Sequence, residues 1–125
     1  MKNVFWSLGG LFLISLFGCS NKEEIPAGIV EPQRMISILT DIHQLETEVA
    51  SLKLTYDSST ALYKQQQQLL FDKHNVSDSV YTHSFEYYLE HVEMLDKIYA
   101  AVVDSLSVRR NMGSRKEPEE SGESL

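Results

Sequence analysis

Six apolar side chains in the first half of the chain fall at spacings of four, three, four, three and four: Ile38, Ile42, Leu45, Val49, Leu52 and Tyr56. That rhythm keeps one face of an α-helix apolar over five turns, and no strand with its period of two reproduces it. Met35 and Leu39 widen the face at its start, whereas Gln44, Thr47 and Ser51 fall on the opposite side. The spacing predicts a first helix over 32–54, opened by Pro32, whose missing N–H costs nothing in a first turn. A helix with one apolar face must bury it against partners, so further helices are required.

Tyr56-Asp57-Ser58-Ser59-Thr60 supplies a break with capping chemistry. A second helix is expected over 59–73, burying Leu62, Leu69 and Leu70 with Tyr63 at their flank. Its four glutamines, 65–68, read as a solvated face. Ser77 is an N-cap candidate for a third helix over 78–91, with Val80, Tyr81, Phe85, Tyr88 and Leu89 on one broad side. A fourth stripe, Val92, Leu95, Ile98, Tyr99, Val102 and Leu106, predicts a helix over 92–109. There Arg109 and Arg110 complement the negative end of the dipole. Helices three and four are either separate or one kinked helix, with the junction at His91. No strand pattern and no internal repeat is present. The expected fold is therefore all-α: a small bundle of three to four amphipathic helices behind a signal peptide and a flexible tether.

The N-terminus carries an address. After Lys2, Val4 to Phe17 is an uncharged run of 14 residues. A spanning helix needs roughly 20 residues, whereas a secretory h-region needs roughly 7–15. Leu16-Phe17-Gly18-Cys19 then gives way to Ser20-Asn21-Lys22-Glu23-Glu24. A small residue before Cys and a Leu three before it make a lipobox, although Phe17 is bulkier than is usual at its position. Cys19 is the sole cysteine of the chain, and an unused lone thiol in an exported protein invites oxidation. The expectation is cleavage between Gly18 and Cys19 and a diacylglycerol thioether, with further acylation such as palmitate, on Cys19. Two or more acyl chains anchor stably. Lys22-Glu23-Glu24 resembles the Lys-then-two-acids export signal of surface lipoproteins in Bacteroidetes-type bacteria. The periplasmic and cell-surface faces of the outer membrane both stay open.

These readings divide the chain into 1–18, a removed signal peptide; 19–30, the lipidated Cys and a tether broken by Pro26 and Gly28; 31–110, the helical domain; and 111–125, an acidic tail expected to be disordered. The formal charge is −7. Removal of residues 1–18 takes away Lys2 alone, leaving 10 basic and 18 acidic side chains, or −8. That surface repels phosphate backbones and anionic lipid, which argues against a nucleic-acid partner and leaves membrane attachment to the lipid.

The order of landmarks resembles a domain-of-unknown-function family, number 4296, of small lipoproteins from Bacteroidetes-type bacteria. The residues that carry the likeness are the lipobox Cys, a Pro soon after it, and Met35 to Glu46 with Asp41-Ile42-His43. They continue through Tyr63, Phe71 to Ser77, Ser84-Phe85-Glu86-Tyr87-Tyr88, and Leu95 to Tyr99 ahead of Val103 and Leu106. The resemblance implies a lipoprotein and implies no chemistry. A looser fold-level similarity links the same helices to the chaperone segments flanking parvulin-type prolyl isomerases.

Candidate sites are few. His43 with Glu46, and His83 with Glu86, are His-x-x-Glu pairs that each share a helix face. Such pairs in an acidic helical protein read first as solvated ion pairs; the alternative is that the two helices bring them together as a metal site, although bundle sites use the reverse order, Glu-x-x-His, and need further inward glutamates. Phe85, Tyr87, Tyr88 and Tyr99 are either core or the lining of a groove for a partner; Tyr87 and Tyr88, about 100° apart, cannot share a face. No phosphate loop, Gly-x-Ser-x-Gly elbow or catalytic Cys occurs. The expected function is a non-enzymatic binding or accessory module of the cell envelope, chaperone-like in one version. Its partners are the membrane, through the lipid, and an envelope protein; no small-molecule substrate is implied, and no cofactor beyond the covalent lipid. The alternatives are a metal-binding helical protein and a self-associating structural lipoprotein.

Overall fold

The computed structural model describes residues 24–114. Four helices follow one another, α1 (Pro32–Ser51), α2 (Tyr56–Lys73), α3 (Asp78–Glu90) and α4 (Val92–Ser114), and no strand occurs among the described residues. The all-α expectation is met. The structure of 1–23 and 115–125 lies outside the described residues.

α1 is the central element and packs against both α2 and α4, while α3 packs against α4. Pro32 sits in its first turn. Its face of Met35, Ile38, Leu39, Ile42, Leu45 and Val49 is buried. These side chains meet Leu70, Phe71 and Val76 from α2 and its exit, Tyr88 from α3, and Met94, Ile98 and Val102 from α4. A helix flanked on two sides needs the wide apolar face that the sequence gives α1.

The boundaries differ from expectation at several ends. α1 stops at Ser51 because the chain turns at Lys53, whose φ of 50° is left-handed. Leu52 and Tyr56 therefore leave the apolar face; Tyr56 is 83% exposed and begins α2. α2 starts there because Thr55 acts as its N-cap, its hydroxyl accepting from the Ser58 N–H at 3.4 Å. Ser77 caps α3 as expected, accepting from the Val80 N–H at 3.2 Å. His91, with ψ of 68°, breaks the α-helical path and starts α4 by accepting from the Met94 and Leu95 N–H groups. Helices three and four are thus two elements. α4 runs on through Ser114, so residues 111–114 are helical where a disordered tail was expected.

Exposure also corrects the predicted stripes. Leu69, Val80, Leu89 and Val92 are exposed. On α3, Tyr88 is buried and Tyr81 and Phe85 are half-buried, as the stripe predicts, while Ser84, outside the stripe, is buried with them. The structured part begins before Pro32. Val30, assigned to the tether, is a core residue, with Ile25 and Ile29 packed against the core.

Candidate functional site

Three places in the fold combine polar chemistry with long-range contact. The first is Asp41. It lies one position from buried Ile42 on α1, and its side chain is only 10% exposed. Its Oδ2 accepts from Lys73 Nζ at 2.9 Å and lies 2.8 Å from His74 Nε2, both at the end of α2. Its Oδ1 accepts from Arg109 Nη1 of α4 at 2.7 Å, and the same nitrogen donates to Gln44 Oε1 at 2.8 Å. One carboxylate therefore ties three helices together. Burial raises the carboxyl's pKa, but the hydrogen bonds from Lys73, Arg109 and His74 outweigh it and bring the value down to about 2. Arg34 adds a second tie to the α2 exit, donating from Nη2 to the His74 carbonyl at 2.7 Å. Beside Asp41, a cleft of about 430 Å³ opens between α1, α2 and Arg109, with Glu48 and Gln66 on its walls. Its acids and bases balance, so its charge singles out no ligand.

The second place is the fastening of the chain's entry. The Val30 N–H donates to Ser84 Oγ at 2.8 Å, and the Tyr88 hydroxyl donates to the Val30 carbonyl at 2.6 Å. Ser84 in turn donates to the Val80 carbonyl at 2.6 Å. Both side chains are fully buried, and burial, then Glu31 and Tyr87, pushes the Tyr88 hydroxyl up to about 12. Buried polar groups persist only when paired, and each of these is. Tyr88 is therefore a clamp on the entry segment, which makes it core and not the lining of a partner groove. Phe85 stacks on Tyr81, 6.1 Å between centroids, and Tyr87 stacks on His91 at 4.0 Å. These aromatics stabilise α3 and its exit; with Tyr99 they do not form one groove.

Tyr99 belongs instead to the third place, an open groove of about 640 Å³ between α1 and α4. Val103, Leu106 and Arg110 line it from α4, and His43, Glu46 and Thr47 line it from α1. His43 Nδ1 lies 2.9 Å from Glu46 Oε2, and its ring sits 6.0 Å from that of Tyr99. Thus the first His-x-x-Glu pair forms within itself. His83 and Glu86 are exposed on α3. Among the described residues no group of three or more His, Cys, Asp or Glu side chains gathers as a metal ion would require. The two pairs do not build the metal site raised as an alternative, because α1 and α3 do not bring them together.

Gly18, Cys19, Lys22 and Glu23 lie outside the described residues, while Glu24 is exposed at their edge. No described helix is long and apolar enough to cross a membrane.

A four-helix α domain, fastened at its entry by Ser84 and Tyr88 and braced through Asp41, is the class these features define. The chain matches the family described as Domain of unknown function (DUF4296) over residues 26–112, and it belongs to that family. The match begins at Pro26, ahead of α1, and so includes the entry segment that Val30 anchors. The chain matches no curated protein and no solved structure.

Proposed function

We propose that this protein is a lipid-anchored, non-catalytic binding or accessory module of the bacterial cell envelope, held at the outer membrane by acyl chains on Cys19. The observation that carries the reading is the placement of the two ends of α1. The chain enters at Val30, fixed to α3 immediately before the N-terminus of α1. Beyond the other end of the same helix, Leu52, Leu54 and Tyr56 are exposed. A helix of 20 residues separates these ends by about 30 Å. A domain fastened to its tether at one end therefore presents unburied apolar side chains at the other. Exposed apolar clusters of this kind serve contact with a partner. The lipobox supports the anchor, and the acidic surface supports contact with protein rather than with anionic lipid.

A photoreactive residue at Tyr56 of the full chain, activated in intact cells, tests the reading. One envelope protein captured in fixed ratio is the expected result. A mixture of unfolded envelope proteins marks a chaperone-like holder, a variant of the same class. Absence of any adduct, with the protein present in the membrane fraction, overturns it.

A further inference from the structure

The α1–α4 groove is not explained by the contact at the far end of α1. None of Leu52, Leu54 and Tyr56 lines it, and Val103 in its α4 wall is 62% exposed. A valine left this open on a helix whose neighbours Ile98 and Val102 are buried is an apolar surface without a cover. The charges around it are arranged by wall. Glu46 stands on the α1 side, 51% exposed and, among the described residues, paired only with His43, three residues away. Arg110 stands on the α4 side, exposed, and makes no ion pair among the described residues. Arg109, its neighbour, is committed to Asp41 and Gln44.

An apolar strip with an acid on one wall and, on the other, a base that no described residue pairs is complementary to itself under a two-fold rotation. The rotation places α4 of one copy along the groove of the other, apposes Val103 and Leu106 with their own counterparts, and brings each Arg110 toward the single acid of the opposite α1 wall. We propose that this groove is the contact face of a symmetric dimer of this chain, with Arg110 of each protomer paired with the partner's Glu46. Isologous contacts of this kind are the commonest way in which soluble chains associate. They suit an acidic protein, whose copies repel at long range, because the two local pairs offset that repulsion where the surfaces touch. The inference uses only the groove and stands whether or not the apolar end of α1 binds another protein.

Two differently tagged full-length copies, co-expressed, with a photoreactive residue at Val103, provide the test in native membranes. The expected product is a covalent adduct carrying both tags, absent when the probe is moved to Leu69 on α2. Glu46→Arg alone, or Arg110→Glu alone, should lower its yield by about tenfold, since each places like charges in contact. The double variant, Glu46→Arg with Arg110→Glu, should restore it. Both side chains are exposed, so the folded protein persists; Arg110→Gln, which removes the charge without reversing it, should give an intermediate yield. Absence of the two-tag adduct, an adduct only with a different protein, or an adduct insensitive to both single reversals overturns the proposal.

Discussion

Replacing Asp41 with Asn keeps the size of the side chain and removes its charge. The amide oxygen can take the place of only one carboxylate oxygen, so either Arg109 on Oδ1 or Lys73 and His74 on Oδ2, at 2.7–2.9 Å, would meet an NH2 group instead of an acceptor. Lys73 and Arg109 are substantially exposed and regain water when released, which limits the loss. The expected cost is about 2 kcal/mol of unfolding free energy at neutral pH, read by urea denaturation. The pH dependence gives a sharper signature. The folded-state pKa of Asp41 is about 2, below the ordinary 3.8. A carboxyl depressed on folding contributes stability that is fully present above its unfolded pKa and is lost as pH falls through the folded one. The wild-type chain should therefore lose stability between pH 3.8 and about 2, and Asp41→Asn should lose less over the same window. Equal acid slopes for the two proteins would show that Asp41 does not carry this linkage.

At the scale of the element, Lys53 is the position where local geometry and side chain disagree. Its φ of 50° follows the end of α1, a left-handed position that glycine fills without the clash of a Cβ. Lys53→Gly should stabilise the domain by roughly 0.5–1 kcal/mol, the relief being partly offset by the greater freedom of glycine in the unfolded chain. A thermal melt should rise by a few degrees. A fall in the melting temperature would mean that the Lys53 side chain contributes something beyond its backbone. The same turn shows why helix existence was easier to read than helix ends. The apolar spacing of Ile38, Ile42, Leu45 and Val49 fixed α1, and it continued through Leu52 and Tyr56 although the helix stops at Ser51. Periodicity records which face is apolar and not where the backbone turns; that depended on a left-handed lysine and on the Thr55 hydroxyl, neither conspicuous in the sequence. Ser77 was legible because its capping role is local, within one turn of the residue it serves. Val80 and Leu89 misled because apolar character alone does not place a residue; α3 buries Ser84 and Tyr88, whose polar atoms hold Val30.

Across the whole molecule, the features that the sequence concealed are those spanning the longest separations. Asp41 finds partners 32, 33 and 68 residues away, and Val30 finds its own 54 and 58 residues away. Asp41 and His74 lay inside stretches that carried the family likeness, yet nothing in their spacing states that they meet. Arg109 read as a helix-end charge because that role needs only its own helix. A joint site of the two His-x-x-Glu pairs stayed open as an alternative to solvated ion pairs because spacing on each helix is visible in the sequence and the arrangement of the helices is not. The entry segment also bears on the address of the protein. Val30 is fixed to the domain, whereas Glu24 is exposed six residues earlier. The Lys22-Glu23-Glu24 triplet follows Cys19 after two intervening residues in sequence, and its last residue, Glu24, lies outside the core. If Cys19 is lipidated as proposed and the triplet directs the protein to the cell surface, Lys22→Ala with Glu23→Ala and Glu24→Ala should leave fatty-acid labelling of Cys19 intact and should move the protein from a protease-accessible to a protease-protected state in intact cells. Cys19→Ala should abolish the labelling itself. Protection of the wild-type protein would place the domain on the periplasmic face and reduce the triplet to a solvated tether, and persistent labelling of Cys19→Ala would remove the lipid anchor from the account altogether.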